Sequence, residues 1–343
     1  MFEPRGSDTL LALTLALRLS CLLACAGCST QQTADPPAAP APPPAPPVAL
    51  LSAHAGATAL WHDGGLWVSE VRDWDRPARI RLSRGDGPVQ HELRGWVAGV
   101  RDGKAYVATP SGDSLAVQRV DVDGRADTLT TIPAPAGGYR YALAVTSTGE
   151  VAVSGGSEHA VGVRILGGAG EPRRCGSEPV EAIAADPFQP RIAALGGTTT
   201  RVLTIHDATT CDPLRTVELG GARPADEGEL AYDDDGAVWV HADRQIQRIG
   251  AAHQRHLVGA HISARNLVFA RDGGRIAFTT EVGTGHMLPS GDPACLVHAV
   301  RTDETLEQFA RDHSVQRFAG GCYFGLGLAF VAGTLWVAPP ASA

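Results

Sequence analysis

The chain has 343 residues and a formal net charge of −8, from 37 acidic and 29 basic side chains. Lys104 is its one lysine and the arginines are scattered, so it lacks the concentrated cationic surface that binding a nucleic-acid backbone requires, and nucleic acid is not expected as a partner. The residues beyond the first 47 suffice to bury a large core as one domain.

Residues 10–17 form an apolar run, Arg18 interrupts it, and residues 21–28 read CLLACAGC before Ser29. This resembles the signal peptide of bacterial lipoproteins, in which a short run of apolar and small residues ends in the cysteine that is acylated. The resemblance implies a 1–28 signal segment, Cys28 as the palmitate-type lipid anchor, and Ala26 and Gly27 as the small residues before cleavage. Cys25, at the end of the competing run 22–25, is the alternative anchor, and a cleaved signal without lipid is the alternative processing. A membrane-spanning helix is disfavoured because the apolar run is short and broken by Arg18. The implied location is the bacterial cell envelope, lipid-anchored and facing the periplasm or the exterior.

Residues 29–47 collapse to proline, alanine and a few polar residues, with APAPPPAPP at their centre. Proline fixes φ and removes donors, so this reads as a disordered, semi-extended linker. Roughly 3 Å per residue in a polyproline-like state gives it a reach of about 50 Å.

Residues 48–343 repeat one pattern: a small apolar run, a tight polar turn, and a second run rich in β-branched or aromatic residues. The copies begin at Ala59, Ala98, Leu143, Ala182, Leu230, Leu267 and Leu328. Their turn residues Gly65, Gly103, Gly149, Pro190, Gly236, Gly274 and Gly333 are 38, 46, 41, 46, 38 and 59 residues apart, close to blade spacing except for the last. Period-two alternation inside each copy, with third and fourth runs such as 114–122 and 126–134 following, predicts four-stranded meanders. Stacked radially, they predict an all-β, seven-bladed β-propeller, with six blades as the alternative. Residues 48–53 (VALLSA) could add an outer strand to the last copy and join the chain ends. Trp67, Trp239 and Trp336 fall at equivalent strand positions and read as packing residues.

The segment LVFARDGGRIAFTT from Leu267 resembles the repeat of TolB-type propellers. LAYDDDGAVWVHADRQIQRI from Leu230 is similar to the NHL and YVTN-like repeats of the same broad WD40-like group. The resemblance implies a blade and not a substrate, since function resides in sites carried by a fold.

In such propellers the loops from strand two to strand three, and those between blades, share one face. That places Asp73, Trp74 and Asp75, Glu158 and His159, Tyr139 and Tyr141, Asp226 and Glu227, and His286 on a candidate binding rim. The turn aspartates Asp63, Asp102, Asp234, Asp235 and Asp272 read as turn formers and not as metal ligands. His253 and His256, three apart, would point to opposite faces of a strand, and only His256 with His261 across a loop, or His241 with His286, could converge. No dedicated zinc spacing appears, and no G-x-S-x-G elbow. No metal or cofactor is expected.

Four cysteines lie in the body, an even count that favours disulfides in an exported chain. Cys175 and Cys211, 36 residues apart, are expected to pair, as are Cys295 and Cys322 near loops at the opposite rim. Two functions follow. The first is a monomeric envelope lipoprotein whose propeller binds a protein or another envelope component. The second is a propeller hydrolase, lactonase-like or glycan-active, using the rim carboxylates with His159 or His286.

Overall fold

Asp102 and Gly103, with φ of 52° and 68°, separate the paired residues Arg101 and Lys104. This is the two-residue hairpin turn whose twist matches that of its strands. Aspartate tolerates the left-handed region and glycine enters it freely, so a turn of this composition folds its flanking apolar runs into an antiparallel pair. The structure, a computed structural model, describes residues 44–341 except 74–75, 134–140, 155–160, 168–170, 223–227, 243–244, 251–262, 271–273, 283–293, 302–313 and 320–325. The expected signal segment, with Cys25 and Cys28, lies outside the described residues, as does most of the linker. Beyond Pro44, the described residues belong to one compact unit, Ala45–Ala343.

After β1 (Val48–Leu50) and a 3-10 turn at Ser52–His54, sheet 1 is a meander of β2 (Ala59–Asp63), β3 (Leu66–Asp73), β4 (Arg76–Arg84) and the first half of β5 (Val89–Arg101). The second half of β5 opens sheet 2, which continues through β6 (Lys104–Ser111), β7 (Ser114–Val120) and β8 (Ala126–Pro133). Sheet 3 holds β9 (Ala142–Val145), β10 (Val151–Ser154), β11 (Val161–Leu166) and the first half of β12 (Arg173–Ala185). The second half of β12 opens sheet 4, with β13 (Arg191–Gly196), β14 (Thr200–Asp207) and β15 (Pro213–Ala222). Sheet 5 is described over β16 (Glu229–Tyr232), β17 (Val238–Ala242) and β18 (Gln245–Ile249). Sheet 6 is β19 (Ser263–Ala270), β20 (Arg275–Val282), β21 (Ala294–Arg301) and β22 (Ser314–Ala319). Sheet 7 pairs β23 (Gly327–Val331) with β24 (Thr334–Ala338).

The expected meanders are present, with one difference. β5 and β12 run unbroken from the outer edge of one sheet into the inner position of the next. Register shifts at Val97/Gly99 and Val180/Ala182 mark where each strand swings across, as a bulge permits. The inner strands then meet in order: β2 with β5, β5 with β9, β9 with β12, β12 with β16, β16 with β19, β19 with β23, and β23 with β2. The circuit closes on itself.

The core lies between successive sheets, because side chains on one strand alternate toward its two neighbours. On β6, Ala105 and Val107 pack toward sheet 1 while Tyr106 and Ala108 pack toward sheet 3. On β13, Ile192 and Ala194 face sheet 3, and Ala193 and Leu195 face sheet 5. Burying a large aliphatic chain such as Leu82, Ile192 or Leu195 stabilises the fold by about 1.5–3 kcal/mol each. Trp67 is buried with its ring 5.4 Å from that of Trp336. Fully buried Trp239 donates its indole N–H to Asp233 at 3.0 Å. All three tryptophans pack as expected.

Residues 48–50 do supply the third strand of sheet 7, parallel to β24 and paired Val48 to Leu335 and Leu50 to Val337. Leu335 donates to the Pro47 carbonyl at 2.9 Å, and Leu51 donates to Val337 at 2.8 Å. The following turn carries His54, fully buried against Ser69 of β3 and Ser83 of β4. Arg81 reaches the Ala55 carbonyl at 3.1 Å, and Gly56 donates to Pro339 at 2.8 Å. The first described residues are thereby fixed to both the last sheet and the first.

Candidate functional site

The inner strands all begin at one end of their sheets, here the upper face. The hairpins joining strand one to strand two lie at the lower face. Of the expected rim, Trp74, Asp75, Tyr139, Glu158, His159, Asp226, Glu227 and His286 lie outside the described residues. Asp73 ends β3 and pairs with Arg76 of β4, so the strands reach further than the loop expected over 72–76. Tyr141 immediately precedes β9 and packs edge-on against Trp96 of β5, ring centroids 4.6 Å apart. Burial there holds the Tyr141 phenol above its ordinary range, so at neutral pH it is an uncharged hydroxyl and not a proton acceptor.

Other upper-face groups pair with one another on successive sheets. Glu70, near the end of β3, accepts the Val97 N–H of the next sheet at 3.2 Å and lies 3.4 Å from Arg72 Nε. Glu181, on the bulge of β12, accepts from Arg201 Nε at 2.7 Å, with the Arg201 side chain 1% exposed. Gly228 runs against Leu195 and Glu181: a Cβ there would come 2.3 Å from the Leu195 side chain and 3.3 Å from Glu181 Oε1, so any larger residue would have to displace Leu195. Next along, Glu229 of β16 lies 3.9 Å from His241 Nδ1 of β17.

Tyr141 belongs to the expected rim, Arg72 to the loop expected over 72–76 and Glu229 to the blade-to-blade loop expected over 223–229, whereas Trp96, Glu70, Glu181 and Arg201 carried no such expectation. The legible signal was a charge breaking an apolar strand, as Glu181 does within VEAIAA and Arg201 before VLTI. A charge in that position is buried only with a partner.

On the lower face the turn aspartates act on the backbone. Asp63 accepts the Gly103 N–H at 2.9 Å, tying the turn of sheet 1 to that of sheet 2. Asp233 accepts from the Asp235 and Ala237 amides, Trp239 Nε1 and Arg248 Nε. Asp235 pairs with the far end of Arg248 at 3.0 Å; Asp272 lies outside the described residues. Among the described residues, no group of three or more His, Cys, Asp or Glu side chains could hold a metal ion. The Cys175–Cys211 disulfide is present, its Cα atoms 4.6 Å apart. Cys295, expected near a rim loop, is the second residue of β21 and is buried. It is disulfide-bonded, and Cys322 lies outside the described residues.

No protein-family model and no curated protein matches this chain. Solved structures do. The β-propeller domain of Myceliophteria thermophila Cps50 (Swd1) is 14% identical with a TM-score of 0.53, covering 80% of this chain and 89% of that one. The WD40 domain of Toxoplasma gondii coronin is 10% identical with a TM-score of 0.51, covering 80% and 74%. A protein of unknown function from Bacteroides caccae is 13% identical with a TM-score of 0.48, covering 79% and 97%. At these identities the likeness is one of fold: antiparallel meanders on a closed circuit of inner strands, similar to WD40 domains, make this chain a β-propeller.

Proposed function

We propose that the protein is a lipid-anchored lipoprotein of the bacterial envelope whose seven-bladed propeller is a protein-binding scaffold. The seven inner strands in cyclic contact support seven blades over six. The observation that carries the binding role is the upper face, where partly exposed Arg72, Tyr141 and Glu229 are held beside Glu70, Trp96 and His241. Rigid aromatic and charged groups held in place before a partner arrives reduce the ordering cost of association. WD40-like propellers in general mediate protein interactions, which agrees with this reading. The disulfide Cys175–Cys211 and the oxidised Cys295 support export to an oxidising compartment. The CLLACAGC run supports acylation at Cys28, with the partner being an envelope protein and the propeller acting as a monomer. Two measurements test the proposal in cells. Palmitate labelling and membrane fractionation lost in Cys28→Ala support the anchor, and labelling retained in that variant refutes Cys28. A photo-crosslinker placed at position 141 is expected to capture one reproducible envelope protein, and no adduct from correctly localised chain counts against the upper face.

A further inference from the structure

Sheet 7 is one strand short among the described residues. Sheets 1 to 4 and sheet 6 each have four strands, whereas in sheet 7 no fourth follows β23, β24 and β1. β1 takes the third place, and its outer edge is open. Leu335 donates to the Pro47 carbonyl and Leu51 to that of Val337, so the Ala49 backbone is turned to β24 and the N–H and C=O groups of Val48 and Leu50 point away from it. Third-strand aliphatics of the four-stranded sheets, such as Ile80, Leu82, Leu115 and Leu203, are at most 1% exposed, and Leu50 is 50% exposed. The lack of a fourth strand accounts for both the unpaired edge and the uncovered side chain.

The two flanking sheets turn different chemistry toward that place. On one side Val48 packs in the cluster that holds half-buried Val315 and Phe318 of β22, and Leu50, two residues on, points the same way. On the other side lies a charged face of sheet 1. Ser69 and Ser83 on that face contact His54 of the closing segment, and the pairing of Ser69 with Arg81 and of Arg79 with Arg94 puts all three arginines beside them. Arg81 is satisfied by Glu92 at 3.3 Å and by the Ala55 carbonyl. Arg79 and Arg94 stand directly opposite each other, and among the described residues neither has an ion-pair partner. Like charges placed opposite on neighbouring strands repel, and an anion between them relieves the repulsion.

We propose that the open edge of sheet 7 takes up an extended segment of a partner protein as its fourth strand, with apolar residues turned toward Leu50, Val315 and Phe318 and acidic residues turned toward Arg79 and Arg94. The outward backbone groups of Val48 and Leu50 form the ladder, and the period of two puts the two kinds of side chain on opposite faces of the added strand. Charge complementarity selects the acidic face. The chain's own residues 29–43 do not fit, since they carry five prolines and no apolar alternation, and proline donates no ladder bond. The edge shares no residue with the proposed upper-face site and does not depend on it.

The test uses the full chain and a short fluorescent peptide alternating Val and Glu, read by anisotropy. The controls are the same peptide with alternate amides N-methylated, which cannot donate to the ladder, and a Val/Lys peptide. The expected result is binding of the Val/Glu peptide and of neither control. It weakens about fivefold in Leu50→Ser and about fivefold in Arg79→Gln/Arg94→Gln, with melting temperatures unchanged. No binding, equal binding of either control, or equal affinity for wild type and both variants overturns the proposal. Leu50-dependent dimerisation in sedimentation without peptide binding assigns the edge to a second copy of the chain and also overturns it.

Discussion

His54 Nε2 lies 2.8 Å from Ser83 Oγ and its Nδ1 lies 2.5 Å from Ser69 Oγ, so a histidine from the segment after β1 fills the polar space inside sheet 1. Burial, with a smaller contribution from the Arg81 charge, lowers its pKa from 6.5 to about 4. Between those values the unfolded chain takes up a proton that the folded chain refuses. Stability from this site is therefore complete above pH 6.5 and falls as the pH drops toward 4, by about 3 kcal/mol. Urea midpoints at pH 7 and pH 4 should differ more for wild type than for His54→Gln, and equal differences would contradict the assignment.

The Cys175–Cys211 bridge closes a loop of 36 residues, for which chain entropy gives a stabilisation of about 4 kcal/mol. It joins the outer strand of sheet 3 to a turn of sheet 4. The double variant Cys175→Ser/Cys211→Ser is expected to unfold at a clearly lower temperature under non-reducing conditions. Coincident melting curves for wild type and variant would count against a stabilising bridge.

Asp233 is 1% exposed and accepts from two backbone amides, the Trp239 indole and the Arg248 guanidinium. Replacing it with alanine strands those donors in the interior, at a cost of about 3 kcal/mol or more. Asp233→Asn keeps part of the network and should lose less. Chemical denaturation of the two variants distinguishes this ranking from its reverse.

Glu181 and Arg201 should show the asymmetry of buried ion pairs. Glu181→Ala leaves a guanidinium with 1% side-chain exposure short of its carboxylate, and is expected to cost about 3 kcal/mol. Glu181→Met with Arg201→Met should recover most of that loss. A double variant less stable than the single one would show that the ion pair itself stabilises the fold.

The blades were legible because turn chemistry and period-two alternation are local. Asp-Gly at 102–103 fixes a hairpin by its own backbone angles, and Ala105 and Val107 announce one face while Tyr106 and Ala108 announce the other. The continuous passage of β5 and β12 between sheets was not legible, because a bulge at Val97/Gly99 leaves no mark of a turn. The upper-face pairs depend on partners far apart in sequence, such as Glu70 with Val97 and Trp96 with Tyr141, and strand periodicity carries no information about such meetings.

The most direct test of the binding role is quantitative crosslinking mass spectrometry in intact cells, comparing wild type with Tyr141→Ala/Glu229→Gln at matched abundance and melting temperature. The account predicts one envelope protein crosslinked to the wild-type chain and lost from the variant. The same crosslinks at the same yield in both, or none in either, would contradict a scaffold that works through its upper face.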